Sequence, residues 1–304
     1  MPAPLTVLVA GASGMIGRPL LASLADAGHT VLRLVRGRPG SAQEFAWRPG
    51  NHAIDPELME RADAVVNLSG ASLSRLPWTP AYRRELVSSR LSATRTLTDA
   101  MAAATDPPRV FVSASAVGYY GDRQGETLQE DSGAGSGFLA DLVVSWEAAA
   151  REAPAGVRVV QPRTGLVIGA GGALAPLLPI TRLGLAGPLG NGRQHWPWIS
   201  LHDEVAAIVH LLHSSLSGPV NLVGPTPAIQ RQVAATLAAA LHRPAVLRVP
   251  SWAITSALGD AGRELLLADQ LVASTRLEQD GFAFAHRTIA DAVGALALVR
   301  ARPA

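Results

Sequence analysis

The glycines near the amino terminus have the spacing of a dinucleotide-binding turn. Gly11, Gly14 and Gly17 follow the apolar run Leu5–Ala10 directly and precede a helical pattern. In such a turn the first glycine permits the bend, the second lets the backbone approach a diphosphate, and the third lets the helix pack on the sheet. The residues predicted to contact a cofactor here are Gly11, Ser13, Gly14, Met15, Ile16 and Gly17. The alternative is a strand-to-helix turn that binds no ligand.

The end of the second apolar run distinguishes NADP(H) from NAD(H). NAD sites usually carry an acidic residue about 20 positions beyond the first glycine, and the stretch Val31–Arg38 has none. Arg33, Arg36 and Arg38 lie there instead. A guanidinium binds the additional 2′-phosphate of NADP(H) through paired hydrogen bonds. We therefore predict NADP(H) in preference to NAD(H), with Arg36 as the phosphate ligand; a solvated loop arginine is the alternative.

A parallel sheet is needed to position these residues. Apolar runs that alternate with helical patterns predict an α/β protein with a Rossmann-type, doubly wound sheet of about seven strands. The predicted strands are Leu5–Ala10, Thr30–Val35, Ala64–Leu68, Arg109–Ser113, Arg158–Gln161, Val220–Val223 and Ala245–Val249. We assign residues 1–164, completed by roughly 200–224, to the Rossmann core. Residues 165–199 and 225–304 form a smaller C-terminal lobe in this interpretation.

The composition of the 304-residue chain excludes several chemistries. It has no cysteine, and all 26 basic residues are arginine, so thiolate nucleophiles, lysine Schiff bases and a P-loop are excluded. The eight histidines lack metal-binding spacing, and we predict no metal site. A net charge of +2 gives little reason to bind nucleic acid or a membrane. Without a signal peptide or spanning segment, we expect a cytoplasmic protein that acts on a small molecule.

Several stretches resemble the extended short-chain dehydrogenase/reductase superfamily. They are AGASGMIG at 10–17, VVNLSGASL at 65–73, SASAVGYYGD at 113–122, FLADLVVSWE at 138–147 and RTGLVIGAGGAL at 163–174. The match is closer to its NAD-dependent epimerase/dehydratase-like subgroup of "epimerase family" proteins, some of them labelled SulA-like cell-division inhibitors. GDAGRELLLADQLV at 259–272 and GFAF at 281–284 resemble the small C-terminal domain of that subgroup.

The resemblance implies roles for residues that follow the central strands. Asn67, Ser69 and Gly70 would contact the ribose and diphosphate of the cofactor at the end of the fourth strand. Ser113 and Ser115 would end the fifth strand beside the nicotinamide, with Ser115 at the position of the catalytic serine or threonine. Arg163 would border cofactor and substrate.

The proton-transfer pair of the superfamily is missing. Its members usually carry Tyr-x-x-x-Lys on the helix after the fifth strand, where the lysine lowers the tyrosine pKa. The matching positions here are Phe138 and Leu142. One interpretation is an oxidoreductase or epimerase that uses replacement groups, with Tyr119 and Tyr120 as candidates; packing of a loop over the cofactor is the alternative role for these two tyrosines. The other is an NADP(H)-binding regulatory or partner protein without turnover.

Two further segments have a predicted role on the substrate side or between lobes. Gln194, Trp196 and Trp198 lie where ligands of such sheets bind, so they are predicted to line a substrate pocket; packing between the two lobes is an equal alternative. Asp203 begins a helical pattern and is expected to cap it or bond between the lobes. The helical patterns Tyr82–Ala103 and Leu139–Glu152 could form the four-helix bundle of a homodimer or pack within the chain.

Overall fold

A parallel sheet lies at the centre of the chain in its computed structural model, which describes residues 3–50, 54–169, 171 and 177–300. In chain order the strands are β1 (Thr6–Ala10), β2 (Thr30–Val35), β3 (Glu44–Ala46), β4 (Ala64–Asn67), β5 (Val110–Ser113), β6 (Ser115–Ala116), β7 (Thr127–Leu128), β8 (Arg158–Thr164), β9 (Leu166–Ile168), β10 (Trp198–Ser200), β11 (Gly218–Leu222) and β12 (Leu271–Val272). The main sheet has the order β11-β8-β5-β4-β1-β2-β3, and β6 pairs with β8. Two small sheets join β9 to β10 and β7 to β12.

Helices cover both faces of the main sheet, as predicted. They are α1 (Gly17–Asp26), α2 (Pro56–Glu60), α3 (Pro80–Ala103), α4 (Phe138–Ala150), α5 (Leu177–Arg182), α6 (Leu201–His213), α7 (Gln230–Ala240), α8 (Ser251–Leu258), α9 (Asp260–Gly262), α10 (Thr275–Gln279) and α11 (Ile289–Arg300). Val7 and Val9 of β1 pack with α1 and α6, whereas Leu8 and Ala10 pack with α2 and α3. Because alternate residues of β1 face opposite helix layers, the sheet is buried on both faces.

The predicted strand Ala245–Val249 is wrong. Within the described residues this segment has a single isolated bridge, from Val249 to Leu189. Pro244 and Pro250 flank the segment, and proline cannot donate to a strand ladder. Val246 and Leu247 of this segment are exposed and do not enter a sheet.

The glycine turn packs tightly against the loop after β4. Gly11 has φ +82°, and a Cβ there would lie 2.7 Å from the carbonyl carbon of Leu68. A Cβ on Gly17 would lie 2.3 Å from the carbonyl oxygen of Gly11. Both positions therefore require glycine. This contact places the amino terminus of α1 beside the carboxyl end of β4.

The smaller lobe has a hydrophobic cluster of its own. The cluster joins Trp196 and Trp198 to Val233 and Leu237 of α7 and to Val293 of α11. Among the residues that the structure describes, no helix combines the length and apolar character needed to cross a bilayer.

Candidate functional site

The amino terminus of α1 presents unused hydrogen-bond donors. Gly14 donates its amide to Gly11, but the amides of Ser13, Met15 and Ile16 have no acceptor within the described part of the chain. Ser13 and Gly14 are exposed. Free amides at the positive end of a ten-residue helix bind anions. The turn can therefore hold a diphosphate.

Asn67 shapes the loop after β4. Its side chain is fully buried; Nδ2 donates to the hydroxyl of Thr94 over 3.1 Å, and Oδ1 accepts the amide of Ser69 over 3.1 Å. Ser69 is half-buried and Gly70 is exposed. Asn67 thus acts on this edge of the sheet through the loop, with its own polar atoms already bonded.

Ser113 offers an unbonded hydroxyl at the same edge. It pairs in register with Asn67 at the carboxyl ends of β5 and β4. The side chain is buried, and its Oγ has no hydrogen-bond partner among the described residues. Since a buried hydroxyl without a partner costs free energy, Ser113 fits a position that a ligand completes.

Arg90 is a site residue that the sequence did not reveal. It lies on α3 and is 7 % exposed, and a Cβ on Gly70 would lie 3.1 Å from its Cζ. Nη1 donates to the carbonyl of Leu86, the guanidinium lies 5.1 Å from the ring centroid of Trp146, and Nε has no partner in the described part of the structure. No carboxylate of the described residues pairs with it. Burial lowers the pKa of Arg90 to about 10, so it stays charged at neutral pH.

Arg33, inside β2, and Arg36, directly after it, have different surroundings. Arg33 forms an ion pair with Glu44 at 3.3 Å, which leaves it less available to a ligand. Arg36 is exposed, directly beyond the end of β2. Of the two, Arg36 has the position expected for a 2′-phosphate ligand.

Ser115 and Arg163 both donate hydrogen bonds to the buried carboxylate of Glu147. The hydroxyl of Ser115 donates to Oε1 of Glu147 over 2.7 Å. Nε and Nη2 of Arg163 donate to the two carboxylate oxygens over 2.8 and 3.0 Å. All three side chains are almost fully buried. We name Ser115, Glu147, Arg163 and their neighbours Tyr120 and Asn221 the buried polar network.

The two tyrosines of the 3₁₀ turn Val117–Tyr120 have different surroundings. Tyr120 is fully buried; its hydroxyl donates to Asn221 over 2.7 Å and accepts from Nη1 of Arg163 over 3.0 Å. Burial raises the pKa of Tyr120. Its predicted role in proton transfer is not supported by this placement. Tyr119 is half-buried, with the Arg163 guanidinium 3.5 Å from its ring centroid.

The residues predicted to form a substrate wall pack within the smaller lobe. Nε2 of Gln194 donates to the carbonyls of Leu189 and Leu266. The indole N–H groups of Trp196 and Trp198 donate to the carbonyls of Leu266 and Thr226. All three side chains are buried, so the geometry favours a packing role, with contacts inside the smaller lobe where packing between the lobes was the alternative considered.

The start of α4 has no proton donor at the position of the usual tyrosine. The ring of Phe138 lies edge-on to Trp78 and under the guanidinium of Arg83. The amides of Phe138 and Leu139 donate to the carboxylate of Glu264 over 3.0 and 2.7 Å. Glu264 therefore caps α4 from the C-terminal part of the chain.

Asp203 fastens the C-terminal segment to α6, as expected. Its carboxylate accepts the amides of Ala285 and His286 over 2.8 and 3.0 Å and the hydroxyl of Ser200 over 2.8 Å. His202 and His286 lie close enough to Asp203 for the three to offer ligand atoms to one ion. Two amides and a hydroxyl already donate to the Asp203 carboxylate. Asp203 therefore serves to hold the C-terminal segment against α6.

Glu204 is a buried acid that the sequence did not single out. Oε1 accepts the hydroxyl of Thr164 over 2.7 Å, and Oε2 has no partner within the described residues. Burial raises the pKa of Glu204 to about 8. The side chain is therefore protonated at neutral pH in the folded protein.

We expect Glu204 to make stability fall as pH rises. The folded-state pKa exceeds the unfolded value, so the folded state holds the extra proton from about pH 4.5 to 8 and unfolding releases it. Glu204→Gln keeps the shape without the charge and should raise the melting temperature by about 5 °C or more at pH 8.5, and by no more than about 2 °C at pH 5. Thermal unfolding of both proteins from pH 5 to pH 8.5 measures this difference. If the melting temperatures of the two proteins changed with pH to the same extent, the raised pKa of Glu204 would be contradicted.

Comparison with known proteins agrees with this architecture. A model of the NAD dependent epimerase/dehydratase family matches residues 7–224. The chain belongs to this family. Residues 249–296 match a domain of unknown function, DUF1731.

Relatives of the family cover nearly the whole chain. An Epimerase family protein of Mycobacterium bovis is 43 % identical over 95 % of this chain and 96 % of its own length. Epimerase family protein SDR39U1 of Homo sapiens is 35 % identical over 91 % of this chain and 94 % of its own. A crystal structure of human SDR39U1 with NADPH superimposes with a TM-score of 0.88 at 32 % identity, covering 96 % of this chain and 99 % of that one.

Proposed function

We propose that this protein binds NADP(H) at the carboxyl edge of the sheet and acts as an oxidoreductase or epimerase on a small molecule. The diphosphate binds the free amides of the turn at Ser13, Met15 and Ile16. The 2′-phosphate is held by Arg36. The bound cofactor supplies a hydride donor or acceptor, and the protein supplies its position.

The observation that carries the proposal is the buried cation at Arg90. A guanidinium without a carboxylate partner is costly to bury, and this one lies against Gly70 with Nε unbonded. An acceptor from the cofactor completes its hydrogen bonding. The unbonded hydroxyl of Ser113 at the next strand end supports the same site. Human SDR39U1, which was crystallised with NADPH, agrees with this ligand class.

A specific observation favours a second candidate function. The hydroxyls of Ser115 and Tyr120 are bonded within the buried polar network, and Phe138 takes the place of a proton donor. The second candidate is therefore an NADP(H)-binding protein without turnover. Substrate-dependent oxidation of NADPH across a panel of carbonyl compounds and sugar nucleotides supports the enzyme; binding without oxidation supports the second candidate.

The cofactor assignment is tested by titration with NADPH and NADH, followed by nucleotide fluorescence. Arg36→Ala should weaken NADPH binding about tenfold or more, because it removes charge-assisted bonds to the 2′-phosphate, and leave NADH binding unchanged. Arg33→Ala is the matched control, since Arg33 is paired with Glu44. Failure of the wild-type protein to bind either nucleotide would overturn the proposal.

A further inference from the structure

Charge is distributed unevenly along this chain. Residues 153–202 and 205–259 contain no aspartate or glutamate, and the intervening Asp203 and Glu204 are buried. Arginines nevertheless occur throughout this region. The net charge of +2 for the whole chain therefore conceals a long stretch of sequence, residues 153–259, whose exposed charged side chains are all arginines.

The same region carries most of the exposed large apolar side chains. Six of the seven in the described structure lie in two short segments, residues 180–185 and 243–252, and Val144 on α4 is the seventh. They are Ile180, Leu183, Leu185, Val246, Leu247 and Trp252. Leu183, Val246 and Trp252 are 74 %, 75 % and 71 % exposed. Such a concentration on one surface is typical of an interaction site.

The two segments are neighbours in space. The amide of Leu247 donates to the carbonyl of Ala186 over 3.2 Å, and the amide of Val249 donates to that of Pro188 over 2.9 Å. A Cβ on Gly184 would lie 3.6 Å from Pro244. The apolar side chains of both segments therefore belong to one surface.

Exposed arginines surround these apolar side chains. Arg182, Arg243 and Arg248 lie within the two segments, and Arg231 donates its amide to Gly192 at their edge. None of the four forms an ion pair with a carboxylate of the described residues. We call these four arginines and the six apolar residues the arginine–apolar face.

We propose that the arginine–apolar face binds the surface of an anionic lipid bilayer. Aliphatic side chains and a tryptophan enter the headgroup region while arginines contact lipid phosphates, which is how peripheral proteins attach. Leu183, Val246 and Trp252 are about three quarters exposed, and the other three apolar residues are a little under half exposed. A fluid lipid surface accepts such projections without the complementary pockets that a protein partner must provide.

This attachment does not depend on a spanning helix. Binding combines burial of a few apolar side chains with attraction between several arginines and anionic headgroups, and it weakens as salt screens the charges. The sequence-based expectation of no membrane partner used the net charge of the whole chain, which averages the arginine–apolar face with the acid-bearing Rossmann half.

Vesicle sedimentation of the full-length protein tests the proposal. The protein should sediment with vesicles in which about a third of the lipid is phosphatidylglycerol, remain in solution with phosphatidylcholine alone, and dissociate when salt rises from about 50 to about 500 mM. Combining Leu183→Ser, Val246→Ser and Trp252→Ser should reduce binding about tenfold or more. Arg182→Glu with Arg243→Glu should do the same.

Matched controls lie on the other half of the molecule. Val144→Ser and Arg84→Glu alter exposed residues of α4 and α3 and should leave vesicle binding unchanged. Melting temperatures of all variants should match the wild type, because every altered side chain is exposed. Sedimentation independent of the arginine–apolar face overturns the proposal. So does an absence of vesicle binding; retention on an acidic polypeptide such as polyglutamate would then identify an acidic protein as the occupant.

Discussion

Replacing Arg163 by methionine should lower the free energy of unfolding by about 3–5 kcal/mol. Arg163 forms two hydrogen bonds to Glu147 and a third to the hydroxyl of Tyr120. Without the guanidinium, Glu147 is left as a buried carboxylate whose remaining ion-pair partner is the mostly exposed Arg151, at 3.9 Å. Urea unfolding followed by far-UV circular dichroism measures the loss.

Arg151 provides a matched control for this change. Its guanidinium lies 3.9 Å from the same Glu147 carboxylate, but its side chain is mostly exposed. Arg151→Met should therefore cost less than about 1 kcal/mol. The double variant Arg163→Met with Glu147→Met should be more stable than Arg163→Met alone, since it removes the unpaired charge. If Arg151→Met and Arg163→Met cost the same, the buried polar network does not stabilise the fold.

The glycine turn and the strands could be predicted because their signals are local. Gly11 and Gly17 are constrained by neighbours within a few residues and by the loop that follows β4, and their spacing carries the information. The alternation of apolar runs with helical patterns likewise identifies a parallel sheet. A strand was wrongly predicted at Ala245–Val249 because an apolar run with β-branched residues is typical of a strand. Its neighbouring prolines and the lack of a partner strand within the described residues prevent it from forming one.

The partners of the polar side chains could not be predicted, since they are distant in sequence. Ser115 bonds to Glu147, 32 positions away, and Tyr120 to Asn221, 101 positions away. Sequence patterns indicate that these hydroxyls lie at the correct edge of the sheet. Only packing shows that they point into a buried polar network. Arg90 was missed for the same reason: on a helix with many arginines, its burial against Gly70 leaves no local pattern.

Replacing Arg90 by methionine should weaken NADPH binding about 30- to 100-fold. The estimate follows from the loss of a charge-assisted hydrogen bond in a buried site. Fluorescence titration with NADPH measures the change. Arg84→Met, on the exposed side of the same helix, is the control and should bind NADPH as the wild type does.

The stability of the cofactor-free protein separates a ligand-binding role of Arg90 from a structural one. If the guanidinium serves the cofactor, the free protein gains little from it, because a buried cation without a carboxylate partner is unfavourable. Arg90→Met should then melt at the wild-type temperature or above without NADPH, and lose most of the stabilisation that saturating NADPH gives the wild type. If instead the contacts with Leu86 and Trp146 are its purpose, the free variant should melt earlier and NADPH should bind with unchanged affinity. Those two results together would show that Arg90 does not bind the cofactor. The glycine turn would then be the main evidence for the cofactor site.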